Sequence, residues 1–421
     1  MYKVREVTEN NLILEGEGRI IHISFPGQEI IRFKVIEEDT DETSEFKIAE
    51  EKTPERMDAF KISENKLKVS SGPTELFLTL NPLSFKVYKD GKEKLSSDES
   101  VFLEKRKEET IFRFKLNSEE RIYGLGQDCM ANLEQNGQER RCWHQWNGFR
   151  RSGNGSIPFL LSSQNYGLFL DTSWPVRFNI GGDKIPEKNL GEDWAPSPWN
   201  WDLPSGEGNP NRLSVLIYGS QVADFYILLG EDFNRIIRNY YEVTGTPRLL
   251  PKWAYGFIQC KNRYRSEEEL LRLGKKFRER GIPCDVIVID WLWFKEFGDL
   301  EWNREYWAHP EETFKELSRL GFKIMQAQHP FVERTSLKYE IFKEKGYLND
   351  VPPSARPTFD HSNPMARKGW WEEVKRLYET GIRGYWTDMG EIEQHKPGTK
   401  SYLGSREKVH NIYTLLWTKG L

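Results

Sequence analysis

SEEELLRLGKKFRERGIPCDVIVID, Ser266 to Asp290, decides the fold. Its first part has a serine in position to cap a helix, acids in the first turn and a glycine, Gly281, at the end, which together predict a helix over 266–281. Its last part, Asp285 to Asp290, is a short continuous apolar run of the kind found in a strand buried on both faces. The same alternation extends in both directions. WAYGFIQ at 253–259 predicts a strand before the helix. Downstream, the pattern predicts a helix over 310–320, a strand over 323–328, a helix over 366–380, a strand over 383–388 and a last helix over 406–419. Four strand–helix units in series mean a parallel sheet with helices outside it. A doubly wound sheet is the alternative. No glycine-rich phosphate loop follows the first strand, which ends in QCKNRYRS, and polar or aromatic residues stand at the C-terminal ends of several strands. Both features favour the first half of a (β/α)8 TIM barrel. Half a barrel leaves two sheet edges that must be paired or covered.

Before this region the period changes. NLILEGE, IIRFKVIEE, ELFLTL, SFKVYKDG, IFRFKL, YGLFLD and RLSVLIYG are short runs separated by turn residues, as in an antiparallel β-sandwich. A helix near 222–241 closes it. The expected domains are therefore a β-sandwich over 1–235 and four β/α units over 236–421. A net charge of −4 with 30% charged residues excludes the strongly basic character of a nucleic-acid or membrane-surface binder. No apolar run reaches the ~18 residues that suggest a transmembrane helix. The start, MYKVREVTENNLILEGEGRI, has no signal-peptide core, and the four cysteines form no C-x-x-C pair, so a cytoplasmic protein with reduced thiols is expected.

The strand ends carry the chemistry. Asp290 and Asp388 end the second and fourth strands, and Glu391 follows Asp388 closely. Carboxylates that converge on one pocket suit glycoside cleavage, in which an ionised carboxylate meets an oxocarbenium-like transition state. A lone aspartate at a strand end also serves as a helix cap or loop anchor, and Asp290 is open to that reading. Of the fifteen tryptophans, twelve cluster at 143–146, 194–201, 291–307, 370–371 and 386. Core packing accounts for some of them, while those among loop residues suit stacking on sugar rings. The QHP turn at 328–330 reads first as a histidine packed beside a proline, with contact to ligand as the alternative. Seven histidines without paired spacing give no metal site, and no cofactor is expected.

GYWTDMGE, Gly384 to Glu391, resembles the nucleophile motif of glycoside hydrolase family 31, the retaining α-glycosidases, with Gly390 where many members have Asn. YGLGQD at 123–128, PFLLSSQNYGLFLD at 158–171, PKWAYGFIQ at 251–259, VIVIDWLWFKEF at 286–297 and DHSNPMARKGWW at 360–371 are similar to other family stretches and occur in the family's order. The resemblance implies that Asp388 is the nucleophile and Trp386 a wall of the subsite for the cleaved sugar. It implies that Asp290, Trp291 and Leu292 lie in or beside that pocket, and that Phe257 and Gln259 form the first-strand rim. Glu391 is expected to orient neighbouring groups. The segment Gln127 to Arg151, with Trp143 and Trp146, is the expected loop lent by the N-terminal domain.

Leu292 stands where α-glucosidases usually carry an aspartate that binds sugar hydroxyls. An apolar side chain there suits a sugar without the hydroxymethyl group, because a buried apolar wall rejects a hydroxyl it cannot pair. An α-xylosidase is therefore expected, with an α-glucosidase or related α-glycosidase as the alternative and an α-linked oligosaccharide or glycoside as substrate. The family's acid/base aspartate has no counterpart in this sequence. A second polypeptide or a C-terminal segment that completes the barrel is expected to supply it. The alternatives are a truncated chain or a non-catalytic carbohydrate-binding subunit.

Overall fold

The computed structural model describes the chain except for residues 41–45, 107–108, 128–131, 145–154, 183–208, 292 and 393–394. The described residues form two compact units, Met1–Thr246 and Pro247–Leu421.

The first unit is built of antiparallel sheets. An eight-stranded sheet runs from Lys3–Val7 at one edge to Ile122–Gln127 at the other. A five-stranded sheet is centred on Arg212–Tyr218, and a five-stranded meander covers residues 58–96. Inward side chains of all three sheets share one core. Its centre is a group of phenylalanines in which Phe33 and Phe225 stack with centroids 5.0 Å apart and Phe112 meets Phe225 edge-on.

The expected helix over 222–241 divides in two. Val222–Leu229 is a strand with all eight residues buried, and the helix is Phe233–Thr244. VADFYILL is a continuous apolar run, and such a run does not separate strand from helix by periodicity. Asp232 caps the helix by accepting from the Arg235 N–H. Ile236 and Val243 pack against Ile30, Phe169, Tyr226 and Leu228 of the sheet, so the helix belongs to the first unit. The division by packing therefore falls between Thr246 and Pro247, not at 235/236.

The second unit holds four parallel strands in sequential order: Ile258–Gln259, Val286–Ile289, Lys323–Gln328 and Ile382–Thr387. The first is shorter than expected, because Lys252–Tyr255 is a 3-10 turn. Helices Glu267–Glu279, Pro310–Arg319 and Pro364–Glu379 lie where the sequence predicted them. The last expected helix is interrupted, as Arg406–Val409 and Tyr413–Thr418 flank a 3-10 turn. A short helix, Tyr339–Glu344, lies in the long connection after the third strand.

Register decides which side chains share a face. Ile287 pairs with Ile324, and Ile324 with Ile382. These three pack with Leu270, Phe314, Leu317 and Leu377 of the helices, so they mark the outer face. Strand alternation then puts Val288, Asp290, Met325, Ala327 and His329 on the inner face. Between Ile382 and Gly384 the fourth strand carries an extra residue, Arg383, relative to the third. This bulge reverses the alternation beyond it. Gly384, Trp386 and Asp388 therefore face inward, and Tyr385 faces outward, where its hydroxyl donates to the Val374 carbonyl of the helix.

Candidate active site

The pairs Met325–Gly384 and Gln328–Thr387 set the level of the fourth strand against the third. One residue further on, His329 stands beside Asp388 on the inner face. The Asp388 N–H extends the ladder by donating to the Gln328 carbonyl at 2.9 Å. The two side chains meet with His329 Nε2 3.1 Å from Asp388 Oδ2. The other oxygen, Oδ1, accepts from the Met389 backbone N–H at 2.9 Å. Both carboxylate oxygens are thus oriented, while the Asp388 side chain stays 31% exposed. Trp386, two residues earlier on the same face, is 39% exposed.

The turn after Asp388 is tight. Met389 adopts a left-handed φ of 59°. At Gly390 a Cβ would come within 2.9 Å of Thr414 Oγ1, and that hydroxyl donates to the Gly390 carbonyl at 2.6 Å. This contact gives a local reason for the glycine at that position. Glu391 ends the turn half-buried. Desolvation raises its pKa, and the charge of Asp388 adds to the effect.

Asp290 faces the same side from the second strand. Its Oδ1 accepts from the Trp291 N–H at 2.7 Å, and its Oδ2 lies 3.8 Å from Cys260 Sγ. Burial raises the Cys260 thiol to about 11, with Asp290 and, more weakly, Asp388 adding to the rise. A thiol in that environment stays protonated and does not serve as a nucleophile. Trp291 is pinned from three directions. Its Nε1 donates to Asn262 Oδ1 at 2.5 Å, the Arg263 guanidinium lies 5.5 Å from its ring, and Phe297 stacks on it at 6.5 Å. Phe297 and Phe294 in turn meet the His329 ring edge-on at 5.0 and 5.9 Å. Trp291, Phe297, His329 and Asp388 form one connected layer.

The structure thus brings together Asp290, Trp291, Trp386, Asp388 and Glu391. It separates others. Gln259 pairs with Ile287 and so faces outward, where its amide donates to Tyr264 Oη and the Cys260 carbonyl. Phe257 lies at the entry end of the first strand. Its carbonyl accepts from the Asp285 and Val286 N–H groups, and its ring approaches Phe277 of the helix. Neither is a rim residue. Trp143 is 1% exposed in a core cluster with Ile111, Leu216 and Tyr218, which leaves no face for a sugar. Leu292, Trp146 and much of the segment Gln127 to Arg151 lie outside the described residues. Cys260 and the partner of His329 are what sequence reading missed. Cys260 is one residue beyond Gln259, on the opposite face, and His329 reads first as packing, with ligand contact as the alternative. Among the described residues no cluster of three metal-ligating side chains occurs.

Residues 247–421 match the model of the glycosyl hydrolases family 31 TIM-barrel domain, and residues 20–179 that of the glycosyl hydrolase 31 N-terminal galactose mutarotase-like domain. The two together take in most of the sequence. The chain belongs to glycosyl hydrolase family 31. Among family members, an α-xylosidase of Saccharolobus solfataricus is 29% identical over 287 residues, which are 66% of this chain and 35% of that protein. The α-xylosidase XylQ of Lactiplantibacillus pentosus is 28% identical over 326 residues, 73% of this chain and 39% of the relative. The chain thus spans well under half the length of these two relatives. The structure of a family 31 dextranase from Flavobacterium johnsoniae, complexed with glucose, superposes with a TM-score of 0.85 at 22% identity. It covers 100% of this chain with 52% of its own, which shows the shared family 31 fold.

Proposed function

We propose that the complete protein hydrolyses terminal α-xylosidic linkages with retention, through a covalent glycosyl ester on Asp388. The observation that carries this reading is the placement of Asp388. It is an oriented, solvent-reachable carboxylate on the inner face at the C-terminal end of a barrel strand. That is the end of a (β/α)8 barrel where catalytic groups gather. In the first step a lone pair of the Asp388 carboxylate forms the bond to the anomeric carbon, and the bond from that carbon to the glycosidic oxygen breaks. The departing oxygen takes a proton from an acid group. Water then attacks the same carbon, gives its proton back to that group and releases the ester.

No described residue suits the acid/base role. A retaining pair stands about 5–5.5 Å apart across the bond to be cleaved. Glu391 sits on the nucleophile's own turn and Asp290 is engaged with Trp291 and Cys260. The acid/base therefore belongs to a second polypeptide or a further segment that completes the barrel. Two features support such a partner. The first and fourth strands each pair on one side only among the described residues. Large apolar side chains also stand exposed beside them, among them Tyr255, Phe257 and Ile258 at one edge and Trp386 at the other. The xylosidic preference is supported by the apolar Leu292 and by the rigidly held Trp291. The same proposal places the protein in the cytoplasm, in keeping with the free thiols of Cys142, Cys260 and Cys284 among the described residues.

The assay compares aryl α-xyloside with aryl α-glucoside, using this chain alone and then with any polypeptide that co-purifies. Turnover is expected only in the completed assembly and mainly on the xyloside. Turnover by the isolated chain would overturn the shared site, and a preference for the glucoside would overturn the xylosidic specificity. Asp388→Ala should abolish turnover in the completed enzyme. Substantial residual activity would assign the nucleophile elsewhere, and sugar binding without turnover in every assembly would favour a binding subunit.

A further inference from the structure

We infer that His329 is a positioning residue for the nucleophile: its Nε2–H holds the Asp388 carboxylate in the orientation needed for attack. The inference rests on the reading of Asp388 as nucleophile and adds a group to that site. Nε2 lies 3.1 Å from Oδ2, and an ionised carboxylate only accepts, so Nε2 carries the ring proton. The other ring nitrogen, Nδ1, is buried without a hydrogen-bond partner, so Asp388 is the ring's one polar contact among the described residues. Phe294 and Phe297 enclose the ring edge-on, and its side chain is only 5% exposed. Two aromatic walls and the rigid Pro330 that follows leave the imidazole little freedom. A donor fixed in an apolar setting aims at one carboxylate oxygen without having to reorganise, which is the condition under which such bonds contribute most.

The arrangement has a chemical consequence. When one oxygen of Asp388 bonds to the anomeric carbon, the other becomes the ester carbonyl. With the Met389 N–H on Oδ1 and His329 on Oδ2, each oxygen has a donor before attack. His329 keeps its proton throughout and exchanges none with the substrate. Its effect is on the direction of the carboxylate and therefore on the rate of ester formation.

Two measurements test this. The first needs no turnover. Long-range proton–nitrogen NMR of the chain labelled with 15N-histidine, with the His329 signal assigned from the spectrum of His329→Gln, should show the Nε2-protonated tautomer. In Asp388→Ala that signal should shift as the tautomers mix. A ring protonated on Nδ1, or a signal indifferent to Asp388→Ala, would overturn the inference. The second uses the completed enzyme and a 5-fluoro glycosyl fluoride that traps the covalent ester. His329→Leu removes the donor and should slow trapping about 10- to 100-fold, the range for a hydrogen bond to a charged group. KM should change far less. His329→Gln, which retains an N–H at similar reach, should recover most of the loss. Equal slowing in both variants would mean that the ring only fills space. A completed enzyme that never forms an ester would refute the hydrolase reading, and the NMR result would still decide the contact.

Discussion

The inner face of the second unit gathers two carboxylates around one thiol, and this has a measurable consequence. Cys260 is exposed, whereas Cys142 and Cys284 are buried. Its thiol is nonetheless raised to about 11 by burial of the sulfur and by Asp290 beside it. Only the thiolate attacks an alkylating agent. At pH 8.5 the peptide that contains Cys260 should therefore react slowly with iodoacetamide despite its accessibility. Asp290→Asn removes the nearby negative charge, lowers the thiol pKa and should speed alkylation by roughly three- to tenfold. Peptide mapping by mass spectrometry gives the rate directly. If the rate is the same in both proteins, the Asp290 carboxylate does not face the sulfur. Gly390 illustrates a different kind of constraint. Its carbonyl is held by Thr414 and a Cβ on it would lie 2.9 Å from that same hydroxyl, so a side chain there presses on the Thr414 side chain.

The helices on the outer face were readable because local chemistry marks their ends. Ser266 accepts from the Glu269 N–H at 3.2 Å as the sequence predicted, and Asn363 caps the helix at 364–379 in the same manner. Ser266→Ala should cost about 1 kcal/mol of stability. Within the same helix Gly274 lets the helix at 310–319 approach, since a Cβ there would lie 2.7 Å from Leu317 Cδ2. Gly274→Ala gains about 1 kcal/mol in helix propensity, yet overpacking against Leu317 costs about 1–3 kcal/mol. A net loss in the urea midpoint is therefore expected, and a gain would show that the helices separate without penalty. What the sequence could not reveal is the bulge at Arg383. Nothing in IRGYWTD marks one residue as extra, yet without it Trp386 and Asp388 would point at the helices. The same limit explains the misplacement of Gln259. With a two-residue strand, an error of one position moves a side chain to the other face. The pairing of His329 with Asp388 lay hidden for a related reason, because it comes from the register of a strand 59 residues away.

Buried titratable groups act on stability with opposite signs, and each compact unit carries both kinds. In the second unit His361 is fully buried, stacked on Trp417 at 5.3 Å and met edge-on by Trp370 at 5.4 Å, with neither ring nitrogen hydrogen-bonded. His395 is buried beside Thr358, its Nε2 2.9 Å from Thr358 Oγ1. Burial lowers both to about 3, and the charges of Arg367 and Arg406 respectively push them the same way. In the unfolded chain each titrates near 6.5. Between those limits the unfolded state binds protons that the folded state refuses, so stability is complete above about pH 6.5 and falls as the pH drops towards 3. For the pair the loss between pH 7 and pH 5 is about 3–4 kcal/mol. In the first unit Asp171 has the reverse character. Burial and the neighbouring Asp224 raise it to about 6. The folded state then takes its proton before the unfolded state does, so this group adds stability as the pH falls from 6 towards 4. His144 of the first unit, also lowered by burial, opposes Asp171, as Asp360 and Glu391, raised by burial, oppose the two histidines of the second unit. The net expectation is that mild acid loosens the second unit more than the first. Urea unfolding followed by hydrogen exchange at pH 7 and pH 5 separates the units, and the midpoint of residues 247–421 should fall more than that of residues 1–246. His361→Phe keeps an aromatic ring in the cage and removes one of the two titrations. It should recover about half of the acid-induced loss, near 2 kcal/mol at pH 5. An unchanged pH slope in that variant would mean that acid acts on the second unit through other groups.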